Sequence, residues 1–222
     1  MKRVPEPELM DSVEQTTAYA AADFSEPNGL FCEHLRSTLT SRPPGRLLDL
    51  GCGSGGLLVD MAHALDEWTL IGTDAGPNML SLAAELIETQ ALASRIELIK
   101  AHLPGDIGAL QAQGHFAAIT SNSLLHHLAD PMTLWQSVAT LGAPKTQVVV
   151  MDLSRPSSIE AAEALVEAHT EGADDVLKQD FLNSLCAAWR ADEVLDQLQQ
   201  MGWHDWTLTE PSNRHWLVTG QL

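Results

Sequence analysis

Positive charge is scarce in this 222-residue chain: 12 lysines and arginines stand against 30 aspartates and glutamates, a formal net charge of −18. No Lys/Arg cluster offsets the excess locally. Nucleic-acid backbones and anionic membrane surfaces are held by basic patches that release counterions, so neither is an expected partner. The plainer reading of the acidity is solubility or a salty cytoplasm. Cysteine is scarce too. Cys32, Cys52 and Cys186 form no C-x-x-C pair and no metal-ligand spacing, which fits free thiols in a reducing cytoplasm and assigns no metal. No apolar stretch approaches the ~20 residues needed to span a bilayer. The start, Met1-Lys2-Arg3-Val4-Pro5-Glu6-Pro7-Glu8, turns acidic rather than apolar, unlike a secretory signal. Repeats and low-complexity tracts are absent, and no boundary between two domains is visible. A cytoplasmic protein acting on a small molecule is the expectation, and its oligomeric state is not legible.

The feature around which the chain is organised is Leu47-Leu48-Asp49-Leu50-Gly51-Cys52-Gly53-Ser54-Gly55-Gly56, an apolar run ending in an acid, followed by four glycines within six residues. A buried parallel strand reads as a continuous apolar run. Glycines at its carboxyl end allow φ > 0 and a close approach of ligand to backbone. The next helix presents free N–H groups at the crevice where open α/β sheets bind ligands. Gly51, Gly53 and Gly56 also satisfy the G-x-G-x-x-G spacing of dinucleotide-binding folds, which keeps a nicotinamide-dependent oxidoreductase as an alternative. Asp49 argues against it: a carboxylate there disfavours a pyrophosphate and suits a ligand ammonium.

Asp-x-Gly-x-Gly at a strand end resembles the first motif of the S-adenosylmethionine-dependent methyltransferases with a Rossmann-like fold. Downstream, residues 57–65 read as helix and 69–73 as a second strand ending at Asp74, where a carboxylate accepts two hydrogen bonds from a vicinal diol. The plainer role for Asp74 is a helix cap. Gly72-Thr73-Asp74 followed by Met79-Leu80, in a helix over 77–92, resembles the second family motif. Strand three spans 95–101. The family's usual acid for the adenine amino group is replaced there by His102, whose neutral imidazole has an acceptor nitrogen; Asp106 is the alternative. Strand four, 116–121, leads into Asn122-Ser123-Leu124-Leu125-His126-His127-Leu128 and Asp130-Pro131, similar to the family loop that faces the methyl group and substrate.

The remaining elements complete an α/β pattern. Strand five spans 146–151, a mainly helical stretch 156–189, a helix 191–201, and a hairpin 203–209 with 215–220 through Pro211-Ser212-Asn213-Arg214. Alternation of strand and helix implies a doubly wound, mostly parallel seven-stranded sheet with helices on both faces. The C-terminal antiparallel hairpin matches the methyltransferase sheet rather than that of a nicotinamide dehydrogenase. One methyltransferase domain over 1–222 is expected, with a helical N-terminal cover (1–45), a cofactor-binding core (46–152), a helical insertion after strand five (153–189) and a final helix and hairpin (190–222).

The resemblance implies S-adenosyl-L-methionine as cofactor, held by Asp49, Gly51, Cys52, Gly53, Gly55, Asp74, Met79, His102 and Asn122. It implies methyl transfer to a heteroatom of a small molecule; a non-catalytic cofactor-binding regulator is the other alternative. His126 and His127 are the candidates for catalytic base, because imidazole titrates near neutrality. Adjacent residues point differently, so one at most is expected to face substrate, and packing is the plainer role of His127. Tyr19, the single tyrosine, and Phe24 are candidates to cover the substrate, or simply to pack. Arg155 and Arg214 are candidates to bind a substrate carboxylate, since both fall at the sheet edge that carries the site. Ordinary salt bridges with Asp152 or Glu160, and with Glu210, are the competing roles.

Overall fold

A computed structural model describes residues 1–6 and 9–222; Pro7 and Glu8, part of the proline-marked start, lie outside the described residues. Its centre is β1 (Arg46–Leu50), in which Leu47, Leu48 and Leu50 are fully buried. Both faces of this strand are covered, which is why its sequence is an apolar run rather than an alternation. It pairs in parallel with β2 (Thr69–Asp74) on one side and β4 (Ala118–Asn122) on the other. Outward from these lie β3 (Ile96–Lys100) and β5 (Gln147–Leu153), both parallel. The C-terminal strands β6 (Thr207–Ser212) and β7 (His215–Gln221) complete a sheet of order β3-β2-β1-β4-β5-β7-β6. β7 is antiparallel to both neighbours, so β6 again points its carboxyl end toward the edge where β1, β2, β4 and β5 finish.

Two apolar layers follow from the two faces. Leu47 packs with α2 (Ser25–Leu39), α3 (Gly56–Ala64) and α4 (Pro77–Thr89). Leu48 and Leu50 pack on the opposite side with α5 (Ile107–Gln111), α6 (Met132–Leu141) and α9 (Ala191–Gln200). The 156–189 stretch is two helices, α7 (Ile159–His169) and α8 (Asp175–Ala187), capped by the Ser158 and Asp174 side chains. The first helix, α1 (Val13–Ala21), lies against α8 and α4 and so spans the carboxyl edge of the sheet.

Expectation and structure differ at the ends of elements. The final hairpin is displaced: residues 203–206 lie outside the ladder, while Pro211 and Ser212 belong to β6. Trp203 and Trp206 stack with centroids 4.0 Å apart, and Trp206 covers Gly220, where an added Cβ would lie 2.1 Å from its ring. Packing claims these tryptophans before the ladder begins. Pro211 is tolerated because β6 is an edge strand with an irregular register between Thr209 and Ser212.

Candidate active site

The turn after β1 is held by three hydrogen bonds to β2. The N–H groups of Gly51 and Cys52 both donate to the Thr73 carbonyl at 2.8 Å, and Gly53 N–H donates to Asp74 Oδ2 at 2.9 Å. Gly76 N–H donates to the other Asp74 oxygen at 2.8 Å. Gly51, Gly53 and Gly55 have φ of +79°, +53° and +83°. At Gly55 the requirement is double, since an added Cβ would also stand 2.9 Å from that of Ala83. The acids ending β1 and β2 are shielded. Asp49 is 2% exposed, accepts from Thr120 Oγ1 at 2.7 Å, and is pushed up to about 7, chiefly by burial, against the pull of that hydrogen bond. Burial also raises Asp74, although the N–H groups of Gly76 and Gly53 favour its charged form.

These groups line a cavity of about 950 Å³, together with Gly51, Cys52, Gly53, Met79, His102 and Asn122. Asn122 Oδ1 is buried without a hydrogen-bond partner among the described residues, while its amide donates to Ser123 Oγ at 3.2 Å. An orphaned acceptor on the same cavity as a shielded carboxylate fits the ammonium end of an amino-acid tail, and the Asp74 carboxylate fits a diol. Gly55 does not line the cavity; its part is to let the turn enter α3. Asp106 does not line it either, and its carboxylate accepts the His102 backbone N–H at 2.8 Å.

Two histidines on the short turn Leu125–His127 line the same cavity. His126 is 2% exposed, with Nδ1 2.5 Å from Asp152 Oδ1 on β5. Its Nε2 lies 3.5 Å from Glu6 Oε1, and His127 Nδ1 lies 3.4 Å from the same oxygen. Burial works against charge on His126, yet the Asp152 and Glu6 carboxylates outweigh it and raise its pKa. Burial opposes charge on Asp152 as well, and the imidazole more than offsets that, leaving it below the usual carboxylate range. Both shifts describe one coupled His126–Asp152 pair. Tyr19 and Phe24 line the same cavity with ring centroids 4.6 Å apart.

Arg155 is the correction. It does not line the cavity: Nη2 meets Glu193 Oε1 at 2.6 Å, and Nη1 donates to the Ala188 carbonyl at 2.8 Å. The guanidinium turns away from the site because α9 places a carboxylate behind β5. Arg214 does line the cavity, but its partner is Glu26 at 2.6 Å rather than Glu210, with His169 Nε2 at 3.1 Å. None of the six tryptophans lines it.

Sequence reasoning missed four contributors. Asp152 ends an apolar strand as Asp49 and Asp74 do, so a signal for it existed. Glu6, Asp11 and Arg3 carried none. Asp11 Oδ1 accepts the N–H groups of Asn78 and Met79, fixing the arm before α1 to the start of α4. Arg3 donates to the carbonyls of Ala187, His126 and Leu128 and lies 4.3 Å above the Trp189 ring.

A family model described as a methyltransferase domain matches residues 25–217. The chain belongs to the S-adenosylmethionine-dependent methyltransferases. S-Adenosylmethionine is therefore its cofactor, and the nicotinamide reading is set aside. Among curated relatives, the ubiquinone biosynthesis O-methyltransferase of Aeromonas salmonicida is 29% identical over 155 residues, covering 68% of this chain and 63% of that enzyme. An O-methyltransferase family protein from Burkholderia thailandensis superposes with a TM-score of 0.71 at 17% identity, over 95% of this methyltransferase and 60% of that chain. The plantazolicin methyltransferase BpumL, solved with a desmethyl plantazolicin analogue and S-adenosylhomocysteine, gives a TM-score of 0.69 at 16% identity, over 95% and 92% of the two chains. These likenesses establish the fold, in which the glycine turn and the two strand-end acids face one cavity.

Proposed function

We propose that this methyltransferase transfers the methyl group to an oxygen of a small molecule with an apolar or aromatic body. The observation that carries the reading is the His126–Asp152 pair, 2.5 Å apart, on the same cavity as Asp49 and the glycine turn. When bound, S-adenosylmethionine supplies a methyl group on a positively charged sulfur, whose bonding electron pair stays on sulfur as the new O–CH3 bond forms. Asp49 and Asn122 hold the amino-acid tail, with the glycine turn of Gly51, Cys52 and Gly53 closely around it. Asp74 takes the ribose diol, Met79 packs on the cofactor and His102 borders the adenine. The histidine pair favours loss of the acceptor's proton, Tyr19 and Phe24 cover its apolar part, and the arm excludes water.

Oxygen is preferred because the Aeromonas relative is named an O-methyltransferase and because an imidazole–carboxylate pair serves a hydroxyl that must lose a proton. An anionic group on the acceptor rests on Arg214 alone. Residues 1–222 act in this reading as one unit, and the free thiols Cys32, Cys52 and Cys186 suit a cytoplasmic location. Incubation with methyl-labelled cofactor and a cell metabolite extract, followed by mass spectrometry, tests the proposal. A small O-methylated product is expected; label found only on nitrogen, or on no metabolite, overturns it.

A further inference from the structure

We propose that Glu6, His126 and His127 form a site for one divalent cation of the zinc type at the acceptor end of the cavity. Each residue offers one ligand atom, and the three atoms lie within 4.8 Å of one another. The contacts of 3.5 and 3.4 Å from Glu6 Oε1 to the two ring nitrogens approach the edges of a tetrahedron. With metal–ligand distances of about 2.0–2.1 Å, such edges measure roughly 3.4 Å.

The contact of Nδ1 with Asp152 Oδ1 at 2.5 Å takes one ring proton of His126. Nε2 then faces a carboxylate oxygen at 3.5 Å, and either a second ring proton or a cation fills the position between them. A cation there is also within reach of His127 Nδ1. Surrounding groups are those of a built site. Asp152 orients His126 from behind, and Ser184 Oγ donates to Glu6 Oε1 at 3.1 Å. Arg3 ties the arm to the histidine turn through the His126 carbonyl at 2.9 Å. Two imidazoles and one carboxylate suit zinc, iron(II) or cobalt(II), with a fourth position left open. Because both histidines line the cavity, that position is available to an acceptor hydroxyl. There the cation would hold the oxygen as its anion while the proton leaves to solvent. This role rests on the O-methylation reading; the binding itself does not.

The full chain, stripped with a chelator, is titrated with cobalt(II) and then zinc(II). One equivalent of cobalt is expected to bind with the visible absorption of a four- or five-coordinate ion, and one equivalent of zinc to displace it. Glu6→Gln and His127→Gln should each weaken binding at least tenfold, and Asp152→Asn by roughly ten- to hundredfold. Melting curves establish that each variant is folded, and Glu6→Gln, on the terminal arm, carries the test should a histidine variant unfold. No cobalt spectrum, or affinity unchanged in Glu6→Gln and His127→Gln, overturns the site and leaves a trio that shares only a proton. Cobalt binding without any O-methylated product overturns the functional reading and leaves the site standing; product without binding does the reverse.

Discussion

Gly53 donates its backbone N–H to Asp74 Oδ2 across 2.9 Å, so the glycine turn after β1 and the acid ending β2 form one unit. The same carboxylate holds the start of α4 through Gly76. Asp74→Asn keeps the shape and removes the charge. Since a hydrogen bond to a charged group contributes about 1.5–3 kcal/mol, affinity for S-adenosylhomocysteine should fall roughly ten- to hundredfold. Calorimetric titration measures this, and an unchanged affinity would take Asp74 out of the cofactor site.

Asp49 should make cofactor binding depend on pH. A ligand ammonium needs the ionised carboxylate, and in the folded chain Asp49 titrates at about 7 instead of 3.8. Affinity should therefore rise about tenfold per pH unit below 7 and level off above it. For the free protein the sign is reversed. The folded state binds the proton more tightly than the unfolded state, so this group's contribution to stability falls as pH rises from about 4 to about 7. Titrations with S-adenosylhomocysteine between pH values of roughly 5.5 and 8.5 should show the rise, and Asp49→Asn should flatten it. A level profile in the unaltered protein refutes the assignment.

Two glycine substitutions should act in opposite directions. Gly55→Ala meets φ of +83° and a Cβ contact of 2.9 Å with Ala83, so a loss of about 1–3 kcal/mol is expected. Gly29 lies within α2 with nothing within 4 Å of an added Cβ, and Gly29→Ala should stabilise by about 0.5–1 kcal/mol. Denaturant midpoints of the two variants check the pair.

The two arginines should separate into structure and recognition. Arg155→Met strands Glu193 and the Ala188 carbonyl, and should cost about 3 kcal/mol with KM unchanged. Arg214→Met breaks a pair whose other member, Glu26, is 70% exposed, so its effect on stability should be smaller. An anionic acceptor would show a KM raised several-fold in Arg214→Met. Equal KM in both variants would leave the carboxylate reading without support.

Asp11 should act as the latch of the arm. Asp11→Ala leaves the Asn78 and Met79 N–H groups without their acceptor and should cost about 1 kcal/mol, the usual value of a helix cap. Limited proteolysis should then cut the segment before α1 faster than in the unaltered chain. Equal cutting rates would show that other contacts hold the arm.

What could be read without the fold was whatever a local pattern encodes. The leucines of 47–50 around Asp49, the glycines behind them and Asp74 closing the next strand mark themselves by spacing, because strand burial and turn conformation act over a few residues. The seven-stranded sheet followed from alternation, and its antiparallel end from the hairpin. Partner choice did not follow. Arg155 and Glu193 are 38 positions apart, Arg214 and Glu26 are 188, and His126 reaches Asp152 across 26. Each charged group is satisfied by whichever opposite charge or carbonyl the packed helices bring within about 3 Å. Nearby acids such as Glu160 and Glu210 lost that competition. Glu6 meets the histidines for the same reason: the terminal arm is drawn across the sheet edge by Arg3 and Asp11, and no spacing in the chain encodes where a strap of backbone will lie once α4 and α8 are packed.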